Sequence, residues 1–187
     1  MLIGFTGPEG AGKSTAAKLV AEARGLPIHP FAAPLKRMIE ALGVAPRHMY
    51  GTPYDKAESL AIFGGRSARE AMQTLGTEWG RAQFGPDFWV RSWLATLPAG
   101  GAVADDCRFA SEVDAIRSRG GVVIQIVRSL DDVSRVPRHA SEDFASLAYD
   151  VRVVNNKCPN VLRNKLIVAL NEWSVSQSAA TRVLAAE

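Results

Sequence analysis

Short apolar runs alternate along this chain with longer stretches in which apolar residues recur every three or four positions. Leu2-Ile3-Gly4-Phe5-Thr6, residues 102–105, Val122-Val123-Ile124-Gln125-Ile126-Val127 and Val151-Arg152-Val153-Val154 read as buried strands. Ile28-His29-Pro30 predicts a further short strand beside the first. Helices are predicted over 15–23, over 33–42 with Leu35, Met38, Ile39 and Leu42 on one side, over 87–97 with Trp89, Val90, Trp93 and Leu94, over 109–116, and from Pro159 onward with Leu162, Leu166, Ala169 and Trp173 on the buried stripe. Another begins at Ser67, whose hydroxyl and Glu70 three residues on make a capping box. Its apolar stripe is Ala68, Met72, Leu75, Trp79 and Ala82, and Arg69, Gln73, Thr77 and Arg81 run along the other side. That polar row faces either a cleft or solvent. Residues 44–66 read as a mobile loop with one short helix around 56–62, and the small, polar tail from Ser174 is expected to fray. Strands alternating with helices imply an α/β fold, three layers deep (α/β/α), with a central parallel sheet of about five strands in one domain spanning 1–187.

The first strand and first helix enclose Gly7-Pro8-Glu9-Gly10-Ala11-Gly12-Lys13-Ser14, a full match to G-x-x-x-x-G-K-S, the P-loop pattern. Glycines let the backbone wrap a phosphate with its N–H groups, and the positive end of the following helix points at the same anion. Lys13 is expected on the β- and γ-phosphates and Ser14 on Mg²⁺. Asp105-Asp106 ends a strand on the same sheet edge, where a carboxylate can hold that ion directly or through water. Arg108 follows at once and Arg128 ends the next strand. Residues 128–143 are poor in apolar side chains and read as a lid carrying Arg135 and Arg138. A GTPase borrows one arginine and positions a water; a small-molecule kinase needs several, to grip two phosphorylated ligands and exclude water. This chain offers the second pattern.

Composition narrows the picture further. The 187 residues suit one α/β domain, and 47% hydrophobic content is ordinary for a globular core. A net charge of +3 without a Lys/Arg run gives no reason to expect nucleic acid. Cys107 and Cys158 lack metal-ligand spacing and read as free thiols in a reducing compartment. Met1 leads directly into the first strand and no apolar run approaches the ~20 residues that span a bilayer, so the expectation is a cytoplasmic protein without signal peptide or membrane partner.

Further runs carry a resemblance. Phe31-Ala32-Ala33-Pro34-Leu35-Lys36, Leu75-Gly76-Thr77-Glu78-Trp79-Gly80-Arg81, Asp87-Phe88-Trp89-Val90, Asp105-Asp106-Cys107-Arg108-Phe109 with Glu112, and His139-Ala140-Ser141-Glu142 follow the P-loop in order. The chain resembles the phage-type deoxynucleoside monophosphate kinases of the P-loop nucleoside monophosphate kinase group, over residues 1 to about 156. The resemblance implies transfer of the ATP γ-phosphoryl group to a nucleoside 5′-monophosphate, with Mg²⁺. It implies a donor site of Gly7, Glu9, Gly10, Ala11, Gly12, Lys13, Ser14, Thr15, Arg135 and Asn156, and a metal held by Ser14 with Asp105 or Asp106. Lys13, Arg108, Arg128 and Arg138 would act on the transferring phosphoryl. Phe31, Lys36, Arg69, Gln73, Thr77, Trp79, Arg81, Asp106, Arg108 and Glu112 would receive the acceptor, within a helical region over about 31–97. A homodimer is admitted by the resemblance, which also implies the host cytoplasm for a phage-encoded chain. The same Asp-x-Arg-then-lid layout is similar to that of animal-type phosphomevalonate kinases, although the 77–81 run favours a nucleotide. A P-loop module that uses ATP as a switch is the alternative from another class, and no basic or partner-binding patch supports it.

Overall fold

A computed structural model describes residues 1–130 and 143–184 of the chain, with side chains described up to residue 178. Arg135, Arg138 and His139, and with them most of the expected lid, lie outside the described residues. The chain comprises two compact units. One is Met1–Pro30 with Leu97–Glu187, and the other is Phe31–Thr96.

The first unit is built on a parallel sheet of β1 (Leu2–Thr6), β2 (Ala102–Ala104), β3 (Val122–Val127) and β4 (Val151–Val154), in the order β2-β1-β3-β4. Ile3 lies opposite Val103, Phe5 opposite Ile124, and Gln125 opposite Arg152. Among the described residues the sheet thus has four strands where about five were expected. Ile28 contributes a single parallel bridge to Val103, so it sits outside β2 rather than beside β1. Pro27 and Pro30 flank it and cannot donate to a ladder, which keeps the pairing to one bridge.

Side chains alternate across the sheet. On one face Ile3, Phe5, Val103, Val122, Ile124, Ile126 and Val153 pack under α1 (Lys13–Arg24) and α9 (Pro159–Leu184), through Ala16, Ala17, Val20, Leu162, Leu166 and Leu170. On the other face a Cβ at Gly4 would run into Ile116 and Cys107, so the missing side chain is what lets α8 (Ala110–Arg117) press close. Helices on both faces give the α/β/α layering. The helix α9 continues to Leu184 instead of fraying after Ser174. Residues 160–184 contain neither Pro nor Gly, and the Ser176 and Ser178 hydroxyls donate back to the carbonyls of Trp173 and Ser174.

The second unit is helical. It holds α2 (Ala33–Ala41), α3 (Arg47–Tyr50), α4 (Pro53–Ala57) and a 3₁₀ turn (Ala61–Phe63), so the 44–66 stretch is more ordered than its sequence suggests. Leu35 and Ile39 of α2 are buried, whereas Met38 and Leu42 are exposed. Next, α5 (Ala68–Gln73) starts on the expected capping box: Ser67 N–H donates to Glu70 Oε2 at 2.8 Å, and Glu70 N–H donates to Ser67 Oγ at 3.3 Å. It runs on through a π-helical stretch (Thr74–Arg81) into α6 (Ala82–Phe84), and α7 (Phe88–Ala95) follows. The wider π turn rotates every later residue relative to 3.6-residue spacing. Trp79 and Ala82, expected inside, are therefore exposed, and Gly76 and Gly80 turn inward, Gly76 toward Leu35 and Gly80 against Trp89. The Trp89 Nε1–H donates to Gly76 O at 2.7 Å.

A methyl group at Gly80 would stand 2.7–2.8 Å from the Trp89 ring. Gly80→Ala is expected to destabilise by about 1–3 kcal/mol, the usual effect of overpacking, and to lower Tm by roughly 2–10 °C. Gly100→Ala, which would meet open space, should stay within about 0.5 kcal/mol of wild type. Thermal denaturation followed by circular dichroism checks both.

Candidate active site

The strand order reverses at β1, and ligands of open α/β sheets bind beyond the carboxyl ends of the strands at such a point. There β1 delivers Gly7, β2 delivers Asp105, β3 delivers Arg128 and β4 delivers Asn155. Gly7, Gly10 and Gly12 all adopt positive φ, which L-residues rarely tolerate. Gly12 caps α1 in the left-handed region at φ 96°, and a Cβ there would collide with the Asn155 side-chain amide.

Lys13 folds over the loop. Its Nζ donates to Gly7 O at 2.7 Å and to Pro8 O at 2.8 Å. Burial, and then the Arg108 charge, pull its pKa down to about 8, against the opposing pull of Asp105, Glu9 and Asp106. Ser14 Oγ donates to Asp105 Oδ2 at 2.7 Å, joining the first turn of α1 to the end of β2. A hydroxyl beside a carboxylate at the mouth of a phosphate loop is an all-oxygen donor set. That fits Mg²⁺, which takes one or two protein oxygens and leaves its other positions to phosphate and water. Asp106 is the next residue along and is half-buried. No cluster of three or more His, Cys, Asp or Glu occurs among the described residues, so an ion here would depend on phosphate oxygens as well.

The turn after β2 is fixed by its backbone. Cys107 N–H donates to Phe5 O at 3.0 Å, and its buried thiol, pushed well up by burial, sits beneath Gly4. Both cysteines are free. Glu112, in the first turn of α8, is only 2% exposed and accepts from Arg108 N–H at 2.7 Å and Phe109 N–H at 3.2 Å. The carboxylate expected on substrate is thus held on the backbone of the arginine's own turn, and the Arg108 side chain is left exposed.

Arg128 Nε donates to Gly10 O at 3.2 Å and its Nη1 donates to Asn155 O at 3.0 Å. Asn155, 5% exposed, donates from Nδ2 to Ala11 O at 2.8 Å. Glu9, Thr15 and Asn156 are exposed around the loop, and Ala11 is buried. Of the residues expected at the donor, those of residues 7–15 form the loop and the start of α1, Asn156 follows Asn155 in the chain, and Arg135 lies outside the described residues. The resemblance places Asn155, Asn156 and Lys157 together at the usual position of the adenine-contacting loop, and Asn155 is the one whose side chain reaches the P-loop backbone. The available signal was positional: Asn155, like Asp105 and Arg128, is a polar residue directly after an apolar strand.

The residues expected to receive the acceptor, apart from Asp106, Arg108 and Glu112, lie in the helical unit. Phe31 is buried and stacked on Trp93 with ring centroids 4.5 Å apart. Lys36 Nζ lies 4.4 Å from the centre of the Tyr50 ring, a cation–π contact. Arg69, Gln73, Thr77 and Arg81 are half-buried rather than fully solvated, and Arg81 Nη1 donates to Gly76 O at 3.0 Å. Exposed Trp79 meets Phe84 and Phe88 edge-on.

A protein of Acanthamoeba polyphaga mimivirus described as a "Putative deoxynucleotide monophosphate kinase" is similar to this chain, at 29% identity over 191 aligned positions covering 93% of the chain and 98% of that protein. This is the resemblance that the sequence runs carry, found again over nearly the whole length. The shikimate kinase of Aquifex aeolicus superposes with a TM-score of 0.50, over 94% of this chain and 99% of that one, at 13% identity, a likeness of fold alone. No family model matches the chain. Fold and kinase-named relative together support an ATP-dependent phosphotransferase. The relative's name makes nucleotide metabolism its setting.

The low Lys13 pKa has a measurable consequence. Only the ammonium attracts phosphate, so ATP binding should be full below pH 8 and weaken above it as the free lysine loses its proton. Calorimetric titrations should give an ATP Kd that climbs toward tenfold per pH unit between pH 8 and 10, with one proton taken up per ATP bound. Lys13→Met should bind weakly at every pH with no such slope. A flat wild-type profile would remove the lysine from the phosphates.

Proposed function

We propose that this chain is a (deoxy)nucleoside monophosphate kinase, which moves the γ-phosphoryl group of ATP onto a nucleoside 5′-monophosphate and releases two diphosphates. The observation that carries the reading is the nearly end-to-end similarity to the mimivirus protein, whose name states this class of acceptor. The Gly76-Thr77-Glu78-Trp79-Gly80-Arg81 run supports the same class.

The reaction needs little covalent help from protein, since phosphoryl transfer is governed by positioning and by matching charge as it spreads over the equatorial oxygens. The P-loop amides hold the donor's β-phosphate. Lys13 leaves the Gly7 and Pro8 carbonyls and follows the charge onto the β–γ oxygens. Ser14 and Asp105, with Asp106 beside them, would hold Mg²⁺, which when bound neutralises the donor phosphates. Arg108, on a turn stiffened by Glu112, grips the acceptor phosphate. Arg128 stands on the P-loop side, and Arg135 and Arg138 complete the charge match from the segment after β3. The row Arg69, Gln73, Thr77 and Arg81 receives the acceptor's base and sugar, with Trp79 as an aromatic wall and Phe31 and Lys36 on the approach. Asn156 meets the donor base.

A coupled assay of ADP release against dGMP, dTMP, dCMP, dAMP, their ribonucleotide counterparts and mevalonate phosphate tests the reading. Turnover should depend on one or more nucleoside monophosphates. Turnover with mevalonate phosphate alone, or ATP hydrolysis indifferent to any acceptor, would overturn it. Lys13→Ala should fold normally and abolish transfer. Arg108→Ala should lower kcat/KM for the acceptor about 100-fold and change the ATP KM far less, because a hydrogen bond to a charged group contributes about 1.5–3 kcal/mol. Arg138→Ala should reduce kcat while leaving both KM values within a few-fold.

A further inference from the structure

The structure assigns Asn155 as a positioning residue that, with Arg128, straps the back of the P-loop to the ends of β3 and β4 and aims its amides at the donor phosphates. Three observations meet there. Asn155 Nδ2 holds Ala11 O at 2.8 Å, Arg128 Nε holds Gly10 O at 3.2 Å, and Arg128 Nη1 holds Asn155 O at 3.0 Å. Two consecutive loop carbonyls are thus tied to one pair of side chains, and the pair is tied together. Asn155 N–H in turn donates to Val127 O at 2.8 Å, which fixes it on the sheet.

Peptide geometry supplies the consequence. In a planar trans peptide the C=O and the N–H of the next residue point in opposite directions. Holding Gly10 O and Ala11 O on the sheet side therefore turns Ala11 N–H and Gly12 N–H to the other side, into the loop. Ala11 N–H indeed points across the loop to Pro8 O, at a long 3.3 Å that an anion can replace. The Asn155 amide also occupies the space that a Cβ at Gly12 would need, so the glycine and the asparagine are one packing solution. A cradle fixed before the anion arrives does not have to be ordered by it, and that preorganisation raises affinity. Neighbouring Asn156 is the residue expected on the donor base, so one short segment serves both ends of the donor.

The inference rests on the P-loop as the donor-phosphate site and not on the identity of the acceptor. Asn155→Asp keeps the shape but sets a carboxylate against Ala11 O, and Asn155→Ala removes the tie. Calorimetry with ATP and with inorganic tripolyphosphate, which has no base, is expected to show both ligands weakened by a similar factor of about 10–100 in each variant, the range for a buried carbonyl losing its donor. Binding of the preferred nucleoside monophosphate should stay within twofold. Weakened ATP with unchanged tripolyphosphate would make Asn155 a base contact and overturn the strap. A lowered melting temperature with wild-type affinity for both ligands would make it a fold support only, and overturn it equally. In the wild-type chain, which needs no variant to fold, the Asn155 side-chain amide protons should exchange slowly and their NMR signals should move on saturation with tripolyphosphate. Unmoved, rapidly exchanging signals would also overturn the proposal. A wild-type protein that binds ATP and tripolyphosphate yet phosphorylates no nucleoside monophosphate would end the kinase reading without touching these measurements.

Discussion

A phosphate loop must turn its amides toward an anion, and every carbonyl it turns away then needs a donor. The structure around β1 answers that constraint. Lys13 satisfies Gly7 O and Pro8 O, Arg128 satisfies Gly10 O, and Asn155 satisfies Ala11 O. The residues that do so come from the helix after the loop and from the ends of β3 and β4. Parallel strands place those ends on one edge, so the sheet's topology and the loop's hydrogen-bonding requirement are two sides of one arrangement.

Lys13 shows how tightly this is balanced. It is a cation held partly out of water next to Arg108, which is why its pKa falls. Desolvation weakens its hold on its own proton but strengthens every charge interaction it can make with a phosphate. Asp105 and Asp106 limit the fall, and Ser14 ties Asp105 into the same constellation. Loop, lysine, hydroxyl and carboxylate are interdependent, so removal of one changes the electrostatics of the rest.

The helical unit follows a different logic. Its central helix widens into a π-helical stretch between Thr74 and Arg81, and the indole of Trp89 packs where Gly80 leaves room. Gly76 O, which accepts from Trp89 Nε1 and Arg81 Nη1, is the node of that packing. The irregular turn exposes Trp79 beside Phe84 and Phe88, whereas regular spacing would have buried it. π-bulges recur at functional sites because they re-aim side chains that a regular helix would bury.

Local rules decided much of this from sequence alone. Unbroken apolar runs located β1, β2 and β3, because a strand buried on both faces has no polar alternative, and alternation over 151–154 located the half-buried β4. The P-loop and the Ser67–Glu70 capping box were legible because each is a short-range geometry written into consecutive residues. The clustering of Ser14, Asp105 and Arg128 followed from the strands being parallel. Other features depended on contacts between residues far apart in sequence, which no local pattern encodes. Trp79 and Ala82 looked buried until Trp89 selected the glycine face of a π-helix. Asn155 reads in the sequence only as part of a polar segment after the last strand, and the fold brings its amide 2.8 Å from a carbonyl 144 positions earlier in the chain. Sequence determined the strands of the described sheet, most of the helices and the residues of the P-loop pattern. Tertiary structure decided which side chains complete the loop's hydrogen bonds, because a buried carbonyl accepts whichever donor the packing brings to it.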